Sequence, residues 1–449
     1  MEELTIDNVW PLEGFISQKN AKAGIKYGFI GLGQGGSKIA DAFAGILDKN
    51  GNSVYKVMIV NSNLGDMTKI KNVPKRYQFP LKGYERGVGK DPEVGRQAFI
   101  ENGEVIFDEI QNLMSDSDII FVINSMGGGT GTGAVNVLVE AITEGLHIPV
   151  SVITTLPRPN EVESLNAYNA MTELVAKLGD IRSDDEYHEY RMLESLVVLD
   201  NDLIVREHSE APEVPGLTWD FYSNYKVAAI LHEWSVLTSL ESHFTVDAAD
   251  LLNHVIRQGA LITFAKKKIN LDEVTTKDDL VSEIISTFKG KNVLANGFDY
   301  EKDMRSMALV VVMPKSHESR LNQDTLEDIR TRMFDEYPHV NFYPGSATSN
   351  SKRHAIVYTM ASMGGLPERA KNLRKEAEEL KKMREERERN ASGFSMGEKI
   401  STTSGSRVRP AAPARNPFAQ SRTESTGNDG SLPKKNPFAK GSSLFKNTR

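Results

Sequence analysis

A run of seven residues, Gly127 to Gly133, constrains this 449-residue chain more than any other stretch. Its sequence is Gly-Gly-Gly-Thr-Gly-Thr-Gly, and it separates an apolar run, Ile119 to Ile123, from a segment with helical spacing, Ala134 to Ile142, that Gly145 is expected to end. Backbone N–H groups in such a loop can turn inward, and the positive end of a helix dipole attracts anions. The pattern therefore predicts a strand, a phosphate-binding loop and a helix. A flexible turn is the alternative, but a turn does not need two threonines alternating with glycines.

Composition restricts the class of protein. The chain has no cysteine, which excludes disulfides and thiolate metal sites. Its first twenty residues lack the apolar segment of a signal peptide, and no run approaches the ~20 apolar residues that span a bilayer. We therefore expect a soluble, cytoplasmic protein without direct membrane contact. The net charge of −7 argues against a protein that coats nucleic acid.

The charge is unevenly distributed along the chain. Residues 391–449 contain ten lysines and arginines against three acidic residues, a charge of +7 that leaves −14 for the rest of the chain. This segment is rich in Ser, Gly and Pro and is expected to be a disordered basic tail. A basic residue followed by Asn-Pro-Phe-Ala occurs twice in it, at Arg415–Ala419 and Lys435–Ala439. The repeat favours a pair of weak docking motifs for a partner, with chance duplication as the alternative.

A second glycine loop lies near the N-terminus. Gly31, Gly33 and Gly36 follow an apolar run and satisfy GxGxxG, the pattern of dinucleotide-binding folds. That fold requires an acidic residue at the end of the next strand to hold a ribose hydroxyl. Here the next strand, Tyr55 to Val60, is followed by Asn61. The missing carboxylate argues against a nicotinamide cofactor.

A third loop, residues 83–95, leads into another helix. Asp91 suits the cap of that helix and Pro92 its first position. An ordinary capped helix explains these residues as well as a phosphate-sensing loop does. Taken together, the glycine loops indicate a nucleotide with several phosphates, held from more than one side.

The remaining pattern predicts an α/β fold. Strands and helices alternate over residues 25–217, which is typical of a parallel sheet with helices on both faces and ligands at the carboxyl ends of its strands. Residues 218–242 predict a buried central helix, and residues 243–362 a smaller second α/β domain. Residues 363–390 predict a long, charged C-terminal helix with a narrow apolar seam, which can lie on the parent body or on a neighbouring subunit. Residues 1–24 are an N-terminal extension.

These motifs resemble, in the same order, those of the tubulin/FtsZ superfamily of GTPases. The loop at 127–133 is similar to the superfamily signature, residues 31–38 to its first glycine loop, and residues 87–95 to the loop that senses the terminal phosphate. The resemblance covers residues 26 to about 361 and implies a GTPase domain of tubulin/FtsZ type, with GTP/GDP and Mg²⁺ as cofactors. The charged helix and the basic tail make the chain most like the TubZ branch, which partitions plasmid or phage DNA.

The resemblance also assigns nucleotide-binding roles. The glycine loops and Asn61 would surround the phosphates, Glu161 would hold the ribose, Asn201 and Asn224 would read guanine, and Phe221 would stack on the base. The expected binding residues are Gly33, Gln34, Gly35, Asn61, Gly87, Gly89, Gly127, Gly128, Gly129, Thr130, Gly131, Thr132, Gly133, Glu161, Asn201, Phe221 and Asn224. No residue is assigned as a direct metal ligand.

Two acidic residues are the expected catalytic groups. The segment Thr245–Asp250 resembles a loop that, in this superfamily, enters the nucleotide pocket of the next subunit. The resemblance implies that Asp247 and Asp250 polarise the attacking water, and two carboxylates three residues apart lie on one face of a helical turn. On the residues alone, acids in the first turn of a helix capped by Thr245 are an equally good explanation.

We therefore expect a Mg²⁺-dependent GTPase that polymerises head to tail and segregates plasmid or phage DNA. A small DNA-binding adaptor would bind its C-terminal helix and tail. A cell-division scaffold of FtsZ type is the nearest alternative. An NAD-dependent dehydrogenase built on Gly31, Gly33 and Gly36, and a binding module that does not hydrolyse its nucleotide, are alternatives from other classes.

Overall fold

The computed structural model describes residues 22–183, 188–210, 216–240, 246–289 and 294–390. Apart from a short hairpin after residue 180, strands in this part of the chain alternate with helices as far as residue 210, as the sequence predicts. The strands are β1 (Tyr27–Leu32), β2 (Lys56–Asn61), β3 (Gln78–Pro80), β4 (Ile119–Ser125), β5 (Val150–Leu156), β6 (Ile181–Ser183), β7 (Glu189–Arg191), β8 (Ser195–Asp200), β9 (Ala260–Asn270), β10 (Met304–Pro314), β11 (Asn341–Ser349) and β12 (His354–Met363).

The helices vary widely in length, from single turns to rods of more than twenty residues. They are α1 (Gly33–Ala44), α2 (Leu64–Met67), α3 (Pro92–Met114), α4 (Thr130–Leu146), α5 (Glu161–Leu178), α6 (Asn201–Glu210), α7 (Trp219–Leu237), α8 (Ala248–Leu251), α9 (Lys277–Ile285), α10 (Tyr300–Asp303), α11 (Gln323–Glu336) and α12 (Glu368–Asn390). One π-helical turn, Leu252–Ile256, follows α8 directly.

One large sheet runs through the whole body. Its strand order is β11-β10-β12-β9-β8-β5-β4-β1-β2-β3, and β6 and β7 form a separate hairpin. All neighbours are parallel except at β12, which is antiparallel to both β9 and β10. The predicted second α/β unit is therefore continuous with the first sheet, through the pairing of β8 with β9. The domain boundaries themselves remain predictions.

Helices cover both faces of the sheet and bury a core on each. One core contains residues of α3, α4, α5, α9 and α11, and the other contains residues of α1 and α7. The central helix, α7, lies within the predicted range and is buried along most of its length. It contacts both halves of the sheet: His232 bonds Tyr55 just before β2, and Glu233 pairs with Lys266 of β9 at 3.1 Å.

One predicted helix end was wrong. Gly145 is buried inside α4, and the helix continues to Leu146. The residue that leaves the helix in a left-handed conformation is His147, with φ of 54°. A glycine near the end of a helical pattern favours a left-handed cap, but packing against neighbouring elements can keep it helical.

The C-terminal helix lies on its own body, one of the two positions that the sequence left open. Ala370, Leu373 and Ala377 of α12 are buried. The helix packs along α5, where Ser164 donates to Glu376 at 2.6 Å and Arg384 pairs with Glu161 at 3.1 Å. The contacts place α12 antiparallel to α5, so that α12 ends near the N-terminus of α5.

The N-terminal 21 residues, Thr245 and the tail with both Asn-Pro-Phe-Ala repeats lie outside the described residues, so the predictions made for them stay predictions. Of the helices that are described, none combines the length and the apolar character needed to cross a membrane.

Candidate nucleotide-binding site

A cleft of about 510 Å³ opens at the carboxyl ends of β1, β2 and β4. Parallel strands end at the same edge of a sheet, so the loops that follow them meet there. The lining residues come from these three loops, from the loop before α3 and from α5. They are Leu32, Gly33, Gln34, Gly35, Asn61, Ser62, Asn63, Asp66, Arg86, Gly87, Val88, Gly89, Lys90, Ser125, Gly127, Gly128, Gly129, Thr130, Gly131 and Glu163.

The glycine-rich loop enters α4 at the floor of this cleft. Gly129 precedes the first helical residue, Thr130, whose hydroxyl lies 2.7 Å from that of Ser62. Thr132 points away from the cleft and donates to the Ser125 carbonyl at 3.2 Å, which ties the helix start to the end of β4. Because the free N–H groups of a helix start face the cleft, the site favours an anion.

Gly133 has a packing role. A Cβ at this position would collide with the Pro92 carbonyl oxygen, so glycine allows α4 to approach the start of α3. Thr132 and Gly133 were expected to bind the nucleotide, but neither lines the cleft. Their contacts stabilise the loop and its packing instead.

The loop before α3 forms the second wall, and its end is as predicted. Asp91 caps α3 by accepting from the N–H groups of Glu93 and Val94, and Pro92 is the first helical residue. A Cβ on Gly129 would lie 2.5 Å from Val88 and 2.8 Å from the Asp91 nitrogen, so this loop touches the glycine-rich loop.

Asp66 brings a carboxylate into the cleft where β2 itself offers an amide. Asn63 accepts from the Asp66 N–H at 3.3 Å and so caps the short helix α2. The Asp66 carboxylate accepts from Gln34 Nε2 at 3.0 Å, which holds it beside the first glycine loop. Asp66, five residues beyond the end of β2, therefore supplies a carboxylate to the cleft.

Asn61 carries a buried hydrogen-bond donor at the cleft. Its side-chain oxygen accepts from the Asn63 N–H at 3.2 Å, whereas its Nδ2 has no partner among the described residues. A buried donor without an acceptor costs about 1–3 kcal/mol. A phosphate oxygen in the cleft would supply an acceptor.

The expected ribose and base contacts lie along the same edge of the sheet but outside this cleft. Asn201 begins α6 at the end of β8. Phe221 is 37% exposed on the first turn of α7, and Asn224 follows one turn later. Glu161 is occupied by its pair with Arg384, while Glu163, two residues on, lines the cleft.

The start of α7 is tied to α1, which begins at the cleft. Lys38 of α1 pairs with Asp220 at 3.1 Å, and the Thr218 hydroxyl donates to the same carboxylate at 2.5 Å. Burial disfavours the charged carboxylate, but the bonds from Thr218 and Lys38 outweigh it and lower the pKa of Asp220. This pairing sets Phe221 beside the helix that leads from the first glycine loop.

Asp247 and Asp250 lie at the opposite edge of the sheet. The chain runs from the two acids through the π-helical turn to Ala260, the first residue of β9. Ala260 pairs with Ser195, the first residue of β8. The cleft is at the other ends of parallel strands. The two acids therefore cannot reach the cleft of their own chain.

The two acids are arranged as a helix start. Asp247 caps α8: its carboxylate accepts from the Asp250 N–H at 2.7 Å. Asp250 lies near Tyr343, and burial together with this carboxylate raises the pKa of the Tyr343 hydroxyl. Asp247 is exposed, so its free oxygen can contact another molecule.

Four charged residues of the cleft were missed by the sequence reasoning: Asp66, Arg86, Lys90 and Glu163. Arg86 and Lys90 stand between the glycines of the third loop, and cations in a glycine-rich loop are a signal that could have found them. Asp66 and Glu163 gave no such signal, because each sits in a helical turn where acids are common.

Comparison with known proteins agrees with this geometry. Residues 26–180 match the GTPase domain of the tubulin/FtsZ family, and residues 233–374 match the C-terminal domain of the tubulin/FtsZ-like protein TubZ-like. The tubulin-like protein TubZ of Bacillus cereus is 29% identical over 385 residues, which cover 81% of this chain and 84% of the relative.

Solved structures show the same fold. A GTPγS-form protofilament of Bacillus thuringiensis serovar israelensis TubZ has a TM-score of 0.70 at 23% identity, covering 82% of this chain and 95% of that one. A structure described as type III plasmid segregation TubZ has a TM-score of 0.65 at 22% identity, covering 81% and 94%. The chain therefore belongs to the tubulin/FtsZ family of GTPases, and its C-terminal domain is of the TubZ-like type.

Proposed function

We propose that this GTPase assembles head to tail into cytoskeletal filaments that segregate plasmid or phage DNA. One observation carries the proposal: the phosphate cleft and the pair Asp247 and Asp250 lie at opposite edges of one sheet. Two copies stacked in the same orientation bring the acids of one to the cleft of the other. The protofilament and plasmid-segregation descriptions of the TubZ relatives support this assignment.

The cleft suits a guanine nucleotide with several phosphates. Backbone N–H groups at the start of α4 and the unpaired Asn61 Nδ2 would bind phosphate oxygens. Arg86 and Lys90 place two positive charges on the wall formed by the third loop. Glu161 for the ribose, Asn201 and Asn224 for guanine, and Phe221 for stacking remain proposed contacts. GTP and GDP are the cofactors that this arrangement favours.

Asp66 is the residue that would hold Mg²⁺. No group of three or more His, Asp or Glu among the described residues could hold a metal ion alone. Magnesium commonly takes one or two carboxylates and completes its shell with water and substrate phosphates. Asp66 offers one carboxylate at the cleft, and Gln34 fixes its position through a 3.0 Å hydrogen bond. When bound there, the ion would offset the charge of the phosphates.

Hydrolysis would be completed by the second copy. Phosphoryl transfer depends on positioning and charge placement more than on covalent chemistry. The exposed Asp247 and the half-buried Asp250, three residues apart at the start of α8, would orient and polarise a water molecule opposite the terminal phosphate. Because these acids arrive only with a neighbour, turnover requires assembly.

The segregation role needs a connection to DNA. We propose a small DNA-binding adaptor that binds α12 and the basic tail, because the tail carries +7 and the body −14. Adaptor binding by the full chain should weaken as salt is raised. Truncation after Asn390 should abolish this binding while assembly with GTP persists. Adaptor binding that is unchanged by the truncation would contradict this part.

A mixing experiment tests the shared site directly. Asp247→Ala with Asp250→Ala removes the acids but leaves the cleft, and Thr130→Trp blocks the cleft but leaves the acids. Each variant alone should release almost no phosphate. When mixed, an intact cleft of one variant meets intact acids of the other, and GTP hydrolysis should return. Absence of recovery in filaments that contain both variants would contradict a site shared between subunits.

The alternatives are less well supported. A dehydrogenase would need an acidic residue at the end of β2, where the strand ends in Asn61. A division scaffold of FtsZ type is not favoured by the TubZ-like C-terminal match. Live imaging separates DNA partition from cell division, since a partition filament follows the plasmid, whereas a division scaffold forms a ring at midcell. Measured phosphate release would exclude a module that only binds its nucleotide.

A further inference from the structure

Lys90 reaches across the mouth of the cleft to α5. Its Nζ lies 2.5 Å from Glu163 Oε1, so that an ion pair joins the third loop to the first turns of α5. Asn166 of the same helix donates to the Lys90 carbonyl at 3.1 Å. The backbone at Lys90 and its side chain are thus both attached to α5.

The pair lies directly over the glycine-rich loop. A Cβ on Gly127 would be 2.8 Å from Glu163 Oε2, so the carboxylate rests on that loop. On the other side, Val88 and Asp91 touch Gly129. The Lys90 ammonium is therefore held above the residues that offer their N–H groups to phosphate.

The backbone of Lys90 is unusual. Its φ is 61°, in the left-handed region that non-glycine residues seldom adopt. Gly87 and Gly89, which precede it, also have positive φ, at 91° and 63°. Strain of this kind persists where the surroundings impose it, and it is often found at ligand-binding sites.

We propose that Lys90 distinguishes GTP from GDP by leaving Glu163 for the terminal phosphate, a role that rests on the proposed guanine-nucleotide function of the cleft. With GDP bound, the ammonium stays on Glu163. With GTP bound, the terminal phosphate carries more negative charge than the Glu163 carboxylate, so the Lys90 ammonium binds the phosphate instead. Lysine is suited to this exchange, because it acts as a mobile point charge toward phosphate.

The exposure of the two partners makes the exchange easy. The Lys90 side chain is 62% exposed and that of Glu163 is 24% exposed. A partly exposed ion pair contributes little to stability, so breaking it costs little.

Nucleotide affinity of variants tests the role. We would measure dissociation constants for GTPγS and GDP at protein concentrations below those that support assembly. Lys90→Gly removes the charge and suits the left-handed backbone. Lys90→Asn also removes the charge, and asparagine tolerates the left-handed conformation. Both should lower the preference for GTPγS over GDP by about tenfold or more, since a charge-assisted contact to phosphate is lost. Lys90→Arg should retain most of the preference.

Two further variants control the interpretation. Lys82→Gln removes a lysine that directly precedes the same loop and does not line the cleft, and it should leave the preference unchanged. Glu163→Gln releases Lys90 and should raise GTPγS affinity more than GDP affinity. That gain should be smaller in the double variant with Lys90→Gly, because the two residues are coupled.

The outcomes separate this inference from the proposed function. If the parent protein binds neither GTPγS nor GDP, the proposed function fails. If the parent binds both and Lys90→Gly keeps the same preference, only the role of Lys90 is overturned. A loss of GTPγS preference in Glu163→Gln equal to that in Lys90→Gly would also overturn it, because the intact pair would then be what the terminal phosphate requires.

Discussion

Arg369 Nη1 lies 2.6 Å from Asp200 Oδ1, and only 14% and 4% of the two side chains are exposed. The pair joins α12 to the end of β8, where Asp200 also accepts from the N–H of Asp202 and so supports the start of α6. The same guanidinium donates to the Pro157 carbonyl at 2.5 Å and to Glu376 at 3.1 Å. Arg369 is thus the main polar attachment of α12 to the nucleotide-binding half.

Arg369→Leu should destabilise the protein by about 3 kcal/mol, because removal of one partner leaves the other charge buried without compensation. Urea unfolding followed by circular dichroism measures the change. Lys375→Leu is the control, since Lys375 pairs with Glu379 on the exposed side of the same helix and should cost about 0.5 kcal/mol or less. Equal losses in the two variants would contradict a special role for the buried pair.

Asp247 has two roles that substitutions can separate. Asp247→Ala removes the cap of α8 and should cost about 1 kcal/mol of stability, and it should also abolish GTP hydrolysis in filaments. Asp247→Asn keeps a side chain that caps equally well, so stability should be retained while hydrolysis is still lost. Thermal unfolding and phosphate release in assembled protein give the two readouts. Normal turnover by Asp247→Asn would show that the residue serves only the helix.

Two glycines of the signature loop should respond differently to alanine. Gly133→Ala places a methyl group against the Pro92 carbonyl, which forces α3 and α4 apart and should cost about 2 kcal/mol or more. Gly128 has no atom within 4 Å of its Cβ position and lines the cleft. Gly128→Ala should therefore fold normally and bind GTPγS more weakly. Calorimetry measures the stability of both variants, and titration measures their nucleotide affinity. A stable Gly133→Ala, or a Gly128→Ala that binds GTPγS normally, would contradict these roles.

Acid should weaken the protein through His232. This side chain is buried against Tyr55, and burial lowers the pKa of its imidazole from 6.5 to about 4. Between these values the unfolded chain binds a proton that the folded chain does not, so stability falls as the pH drops from about 6.5 to 4. The loss should reach about 3 kcal/mol, and it is absent above pH 6.5. In His232→Gln, unfolding measured across this range should show a smaller pH dependence; an unchanged slope would assign the effect to other groups.

Much of the nucleotide half could be predicted from local patterns. The apolar run before Gly127, the alternation that gives a parallel sheet and the Asp91–Pro92 helix start depend on neighbours in sequence, and the structure confirms them. The prediction that Gly145 ends α4 was wrong because tertiary packing keeps this glycine in the helix, and His147 adopts the left-handed conformation instead.

The acidic residues of the cleft could not be predicted because their partners are remote in sequence. Lys90 meets Glu163 after 73 residues, and Gln34 meets Asp66 after 32. No local pattern indicates that Asp66 or Glu163 will face a cleft. The position of α12 was left open for the same reason, since its apolar seam would suit the parent body or a neighbour equally well until Arg369 is seen buried beside Asp200.

The two halves of the sheet are joined by a short pairing. β8 has six residues and β9 has eleven, but they pair at three positions only, Ser195 to Val197 with Ala260 to Ile262. The cleft belongs to one side of this junction, and α8 lies beside β11 on the other, where Val246 touches Gly345. A small rotation at the junction, resisted mainly by α7, would swing the acids of one subunit relative to its own cleft. In the proposed head-to-tail stack, that angle would be repeated at every step, so a rotation at this short pairing would change the curvature of the filament.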